Sequence, residues 1–225
     1  MRGELHYTLT IVDDAPRALV AVRSCELAPR FNIAPGQQAP VALVRDDTQE
    51  RVIEQLRWGL LPRWRGHGGK RGSLVHAAPL EAVAGTPLLR DSFKNQRCLV
   101  LADGCYAWRE LKQPIWFHPE PRRIVAFAGV WNVNDDDGLP SFALLLGPPL
   151  VTRVKDPMAI VIAPEVFDAW LDPKLDVDEA TELLVGAAHP VGWRTDPVTT
   201  RMASAQHDDE RCIQPVGNPN QGELF

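Results

Sequence analysis

Proline and glycine punctuate this chain so densely that they limit what it can fold into. The sequence contains 20 Pro and 16 Gly among 225 residues, and both residue types end regular elements and form turns. The short runs between these turns are rich in β-branched and aromatic residues, which is typical of strands. We therefore predict an α+β fold, strand-rich, in which antiparallel sheets form a half-closed, barrel-like core with a few short flanking helices.

Seven runs have the composition and spacing of strands. They are His6–Ile11, Pro40–Val44, Val52–Trp58, Cys98–Leu101, Ile124–Trp131, Ser141–Leu146 and Ala159–Ile162. A turn is also expected at 102–104, where Asp103 would cap backbone amides ahead of a further strand, CYAW.

Four segments predict short helices. Pro16–Glu26 has an apolar face with a period of about 3.6 residues. Thr86-Pro87 supplies an N-cap residue and a proline at the first helical position. Pro164 supplies a proline at the same position before EVFDAWL. Asp176 and Glu179 have the spacing of a capping box.

The chain shows no internal repeat and no interdomain linker, so we predict one domain over 1–216 and a flexible tail over 217–225. The N-terminal residues MRGELHYTLT lack an apolar signal region, and no run approaches the roughly 20 apolar residues that cross a bilayer. A cytoplasmic protein without membrane contacts is the expectation.

The four cysteines do not have the spacing of a metal site or a redox motif. No C-x-x-C pair occurs, and no H-x₃₋₅-H segment accompanies the cysteines. We predict reduced thiols, no metal and no cofactor. The cysteines are Cys25, Cys98, Cys105 and Cys212.

Charge is unevenly distributed. The formal net charge is −5, which argues against indiscriminate polyanion binding. Residues 51–71 nevertheless carry six cations and one anion, with Trp58 and Trp64 between them. Cations interleaved with aromatic rings are typical of single-strand binding surfaces, although such clusters are more often solvated surface. We call 51–71 the basic–aromatic strip.

Five blocks, in this order, together resemble the SOS response-associated peptidase (SRAP) family. They are RFNIAPGQ (Arg30–Gln37), RWGLLPRW (Arg57–Trp64), FKNQRCLVLADGCYAW (Phe93–Trp108), KQPIWFHPE (Lys112–Glu120) and AFAGVWN (Ala126–Asn132). FDAWLDP, PVTTRM and CIQPV continue the match, so the resemblance covers nearly the whole chain. It implies the strand-rich SRAP fold.

The resemblance also implies a chemistry. Members of this family join covalently to abasic sites in single-stranded DNA through a cysteine that becomes N-terminal once the initiator methionine is removed. An α-amine beside a thiol condenses with the aldehyde of the ring-opened sugar and closes to a thiazolidine. An Asn, an Arg, a Glu and a His bind the lesion and move protons around that site.

This chain departs from the pattern at each of those positions. Arg2 occupies the position of the family's cysteine. If one instead counts back without a gap from the shared Tyr7–Thr10 segment, Glu4 occupies it. A bulky Arg2 should also hinder removal of Met1. The other four replacements are His76 at the Asn, Ala78 at the Arg, Ala107 at the Glu and Lys155 at the His. The resemblance therefore implies a member that has lost covalent capture and autopeptidase activity.

The binding elements implied by the family pattern remain. The candidate DNA-binding residues are Asn32, Pro35, Trp58, Trp64, Arg65, Arg90 and Trp108, and the expected partner is single-stranded or abasic DNA. Each has a structural alternative: the Asn32–Gly36 block as a rigid turn, the tryptophans as core residues, and Arg90 as half of a surface ion pair.

Two other functions stay open. In the first, a desolvated Lys155 forms a Schiff base with the abasic aldehyde and cleaves the strand by β-elimination, with Cys105 and His76 in the same pocket. In the second, the fold is a protein-interaction module that has lost DNA, and the basic–aromatic strip faces an acidic partner.

Overall fold

A computed structural model describes most of the chain. The described residues are 5–10, 19, 23–45, 47–61, 74–109, 112–134, 138–151, 153–186 and 192–217. Arg2, Trp64 and Arg65 lie outside these ranges, as do most of the predicted Pro16–Glu26 helix and nearly all of the 217–225 tail.

Strands make up most of the regular structure. In chain order they are β1 His6–Leu9, β2 Arg23–Ser24, β3 Arg30–Ile33, β4 Gln38–Val44, β5 Arg51–Trp58, β6 Ala77–Pro79, β7 Arg97–Ala102, β8 Gly104–Arg109, β9 Gln113–Pro119, β10 Val125–Val133, β11 Pro140–Gly147, β12 Met158–Ala159, β13 Val161–Ile162 and β14 Trp193–Pro197.

Five strands close into a barrel. Antiparallel pairings join β5 to β4, β4 to β7, β7 to β10 and β10 to β11. The ring is completed by a parallel contact of β11 with β5, in which Phe142 lies opposite Trp58. The barrel-like core expected from the sequence is therefore confirmed, and the ring is fully rather than half closed. Trp58, Phe127 and Phe142 are completely buried in this region.

A second, five-stranded sheet has the order β14-β9-β8-β1-β3. Its pairings are all antiparallel. Tyr106 and Trp116 on this sheet pack with Val198, Met202 and Cys212 into a small cluster that is separate from the main core. We call these five residues the second cluster. Phe31, Trp108 and Ile213 pack against it.

Three short α-helices flank the sheets: α1 Pro87–Asn95, α2 Phe167–Leu171 and α3 Val177–Val185. Proline occupies the start of α1, as predicted. The capping box at α3 is also present, since Asp176 accepts from the Glu179 amide at 2.8 Å. Within the described residues, no helix is long and apolar enough to cross a membrane.

One predicted helix is wrong where the structure describes it. Residues 23 and 24 of the Pro16–Glu26 segment form β2, which pairs in parallel with β5. Tertiary pairing with an adjacent strand has overridden the local helical periodicity there. The segment Pro164–Leu171 does become helical, but its first turn is a 3₁₀ turn over Pro164–Val166.

Candidate functional site

Asn32 is a buried junction between β3 and the C-terminal segment. Its side chain is completely buried, and Nδ2 donates to the carbonyls of Met202, Ser204 and His207 at 3.0, 3.0 and 2.8 Å. Its Oδ1 lies 2.6 Å from Nδ1 of His6. These bonds favour the structural alternative, a rigid joint, over the predicted contact of Asn32 with DNA.

Asp208, in the C-terminal segment, also bonds residues of β3. Its Oδ1 accepts from the amides of Phe31 and Asn32 at 2.6 and 2.8 Å, and its Oδ2 pairs with Arg30. The RFN part of the block that opens the family resemblance is thus a structural joint.

Pro35 lies in a tight turn, as its structural alternative predicted. The Gly36 backbone has φ of +88°, which glycine adopts without steric cost in a type II turn. The Gly36 amide donates to the Trp58 carbonyl at 2.7 Å, and Gln37 donates to Ala34 at 3.2 Å. Pro35 itself is half-buried, and its contact with DNA stays a prediction.

Trp58 belongs to the core. Its ring is completely buried, stacks on Phe142 at a centroid distance of 6.1 Å and lies 5.0 Å from Tyr7. Its Nε1 donates to the His76 carbonyl at 2.7 Å. Because the ring is buried, the structure favours the alternative of a core tryptophan over the predicted base-stacking role.

Trp108 and Arg90 keep their surface positions. Trp108 is half-buried at the end of β8, against the second cluster. Arg90 is exposed on α1. Both positions are compatible with the predicted contacts to a base and to a phosphate.

The described part of the basic–aromatic strip is partly neutralised. Arg51 pairs with Asp168 at 2.6 Å, and Glu54 pairs with Arg45. Arg57 is half-buried on β5. The remaining cations of the strip lie outside the described residues.

The end of β8 meets the segment around Lys155. Arg109 forms an antiparallel bridge with Val154, so continuing the register by one residue brings Lys155 opposite Trp108. Ala107 is 8% exposed and belongs to the main core. On the other side of β8, Tyr106 pairs with His6 of β1.

β11 pairs with β6, which follows His76, and with β12, which follows Lys155. Ala78 of β6 pairs with Leu145, and Met158 of β12 pairs with Gly147. His76 is half-buried, and Ala78 is 4% exposed. Residues 76–78 thus bond to β11, and the Arg109–Val154 bridge joins residues 107–109 to residues 154–156. We call these nine residues the β8–β11 junction.

Similarity to known proteins shows the family to which the chain belongs. The sequence profile described as SOS response associated peptidase (SRAP) matches residues 5–205. The chain belongs to the SRAP family. The abasic site processing protein YoqW of Bacillus subtilis (strain 168) is 30% identical over 169 residues, which cover 71% of this chain and 74% of that protein.

Other SRAP-like proteins extend the match. The abasic site processing protein HMCES of Gallus gallus is 27% identical over 87% of this chain and 68% of that protein. A solved phage-related protein from Bordetella bronchiseptica has a TM-score of 0.71 at 24% identity, over 86% of this chain and 93% of that one. This structural likeness shows the SRAP fold.

Two of the three residues proposed for a repurposed SRAP enzyme, Cys105 and Lys155, are poorly suited to it. Cys105 is 2% exposed, and burial raises the pKa of its thiol from 9.0 to about 12. Almost no thiolate, the nucleophilic form, is present at neutral pH. Lys155 is exposed, so the desolvated environment that its hypothesis required is absent. Among the described residues, no group of three or more His, Cys, Asp or Glu side chains has the arrangement of a metal site.

Asp103 was predicted correctly and does more than expected. It is completely buried and accepts from the Thr10 amide at 3.0 Å and from the Thr8 hydroxyl at 2.6 Å. Arg122 pairs with it at 3.2 Å. Asp208 was missed, because its partners lie about 177 residues earlier in the chain and no local pattern marks such a contact.

Proposed function

We propose that this SRAP-family protein binds single-stranded or abasic DNA without capturing it covalently. The observation that carries the proposal is Ala107, a nearly buried methyl group at the position that aligns with the family's glutamate. A methyl group neither accepts nor donates a proton, so it cannot assist imine formation or ring closure.

The N-terminal residues support the same conclusion. Neither Arg2 nor Glu4, the two positions that align with the family's cysteine, carries the thiol that thiazolidine closure consumes. Without that thiol, an amine would give at most a reversible imine. Ala78 in place of the aligned arginine removes a further cation from the lesion.

Binding itself has separate support. Trp108 offers a partly exposed ring beside the junction, and base–aromatic stacking tolerates any base. Arg90 is exposed on α1, and the basic–aromatic strip adds cations to the overall negative chain. Affinity is therefore expected to fall steeply as salt is raised.

A denaturing gel tests the proposal. The protein is incubated with a labelled single-stranded oligonucleotide that carries one abasic site, and with a matched oligonucleotide that carries thymidine there. We expect binding to both in a low-salt native assay and no adduct after denaturation. An adduct that survives denaturation without reductant contradicts the loss of covalent capture.

A second candidate is a Schiff-base lyase that uses Lys155. The observation in its favour is the Arg109–Val154 bridge, which brings an exposed amine to the end of β8 beside Trp108. Borohydride in the same incubation would trap its imine. A trapped band that disappears in Lys155→Ala, together with strand nicking, would favour the lyase over simple binding. Absence of any binding at low salt would instead favour a protein-interaction module.

A further inference from the structure

A polar cavity opens between the two 3₁₀ helices Thr200–Ala203 and Glu210–Ile213. Its volume is about 580 Å³, and it is lined by Thr200, Arg201, Ser204, His207, Arg211 and Gln214, among others. None of the described residues that line it is acidic. Hydroxyl, amide and guanidinium donors line this surface together with apolar atoms, and the absence of carboxylates in this described lining favours an anionic ligand.

Arg201 is held in place at the cavity wall. Its Nε lies 3.1 Å from each carboxylate oxygen of Asp209, and its Nη2 donates to Oδ2 of the same residue. The Nη1 group forms no hydrogen bond within the described part of the protein. A guanidinium fixed along one edge by a carboxylate presents its remaining donors in a defined direction.

Arg211 supplies the uncompensated charge. Its backbone amide donates to Asp209 Oδ1 at 3.1 Å, so the aspartate that holds the Arg201 side chain also bonds the backbone of Arg211. Its side chain is exposed, and no ion pair takes up its guanidinium among the described residues. Asp208 is paired with Arg30, and Glu210, which precedes Arg211, is exposed to solvent. Among the described residues, the Arg211 guanidinium is thus left without an ion pair beside the neutral donors of the cavity.

The cavity shares its support with Trp108. Met202, on the first 3₁₀ helix, and Cys212, on the second, belong to the second cluster, against which Trp108 and Ile213 pack. Trp108 and the two 3₁₀ helices that border the cavity therefore pack against one shared cluster. Arginine binds phosphate oxygens through charge-assisted, often bidentate hydrogen bonds.

We propose that this cavity is a phosphate cradle that holds a backbone phosphate of single-stranded DNA near the nucleotide stacked on Trp108. The proposal rests on the DNA binding proposed above and extends the strand's path beyond the β8–β11 junction. Phosphate contacts of this kind set the register of a strand without reading its sequence.

The test measures oligonucleotide affinity by fluorescence polarisation over a series of salt concentrations. The proteins are wild type, Arg211→Ala, Arg211→Glu and, as a charge control, Lys174→Ala, an exposed residue in the turn between α2 and α3. We expect Arg211→Ala to weaken binding about three- to tenfold and to make the log–log salt slope shallower by about 0.7. Arg211→Glu should weaken binding further, and Lys174→Ala should stay within about twofold.

The failures are distinguishable. Wild-type binding with unchanged affinity and slope in both Arg211 variants overturns the cradle and leaves the proposed function standing. A wild-type protein that does not bind the oligonucleotide at low salt overturns both. Arginine Nε–Hε resonances give an independent reading: the oligonucleotide should shift those of Arg201 and Arg211 at concentrations at which inorganic phosphate alone does not. Equal shifts with inorganic phosphate would mean a small-anion site and would overturn DNA as the ligand.

Discussion

The Asn32 joint and the β8–β11 junction contrast in their chemistry. At the joint, every side-chain polar atom of Asn32 is buried and bonded. At the junction, Ala78 and Ala107 are buried methyl groups, at positions that we propose to align with the family's arginine and glutamate. Burying an unpaired charge costs stability, whereas burying a methyl group does not. The fold therefore depends on the hydrogen bonds of Asn32. Replacing polar side chains of the junction by methyl groups would cost the fold little stability.

The largest expected effect is on the stability of the barrel core. Trp58→Ala should lower the free energy of unfolding by about 3–5 kcal/mol, because it empties a fully buried site that stacks on Phe142. Denaturant titration measures it. A loss below about 1 kcal/mol would mean that Trp58 is not part of the core.

Asn32→Ala tests the joint itself. It removes the hydrogen bonds of Asn32 to three backbone carbonyls and to His6, so we expect a loss of about 3 kcal/mol in unfolding free energy. Asn95→Ala is the matched control. Asn95 is exposed and donates only to Asp91 at 3.2 Å, so its loss should stay within about 0.5 kcal/mol. Equal losses in the two variants would remove the contrast between regions.

Trp108→Ala probes the junction through binding. Losing one base-stacking platform should weaken affinity for single-stranded DNA by about 1–3 kcal/mol. Fluorescence polarisation on folded protein gives the value, with circular dichroism confirming the fold. Unchanged affinity would exclude Trp108 from the interface.

The smallest effect concerns the Cys105 thiol, which lies on β8 two residues before the junction residue Ala107. Because burial raises the pKa of Cys105 from 9.0 to about 12, the folded protein keeps a proton that the unfolded chain loses above pH 9. The resulting stabilisation is complete below pH 9 and is lost as the pH rises toward 12. Between about pH 8 and about pH 10, wild type should therefore lose about 1.4 kcal/mol more than Cys105→Ala.

The matched control is Cys25→Ala, since Cys25 is only partly buried and its contribution should be smaller. Urea titration at each pH provides the free energies. Identical pH profiles for wild type and Cys105→Ala would mean that the thiol is not held in an apolar setting.

Local signals in the sequence predicted most of the fold and less of the site. The capping box at Asp176 and the proline that opens α1 are decided within a few residues, so they were predictable. The closure of the barrel was not, because it depends on the parallel pairing of Phe142 with Trp58, 84 positions apart. The alternation of strand residues also did not reveal that Trp58 faces inward.

Long-range polar contacts account for the rest. Arg97 is 4% exposed and donates to carbonyls at the ends of α1 and α2, among them Phe93 at 2.8 Å and Trp170 at 2.8 Å. In the sequence it is one more cation, and nothing near it marks a buried guanidinium. Residues such as Arg97 and Asp208 acquire their partners only when distant segments pack together.

Intact-mass measurement under denaturing conditions tests the central claim most directly. Protein is mixed with a single-stranded oligonucleotide carrying one abasic site, at a concentration where native polarisation shows the complex. We expect every protein molecule to have the mass of the unmodified chain. A species heavier by the mass of the oligonucleotide, formed without reductant, would contradict it.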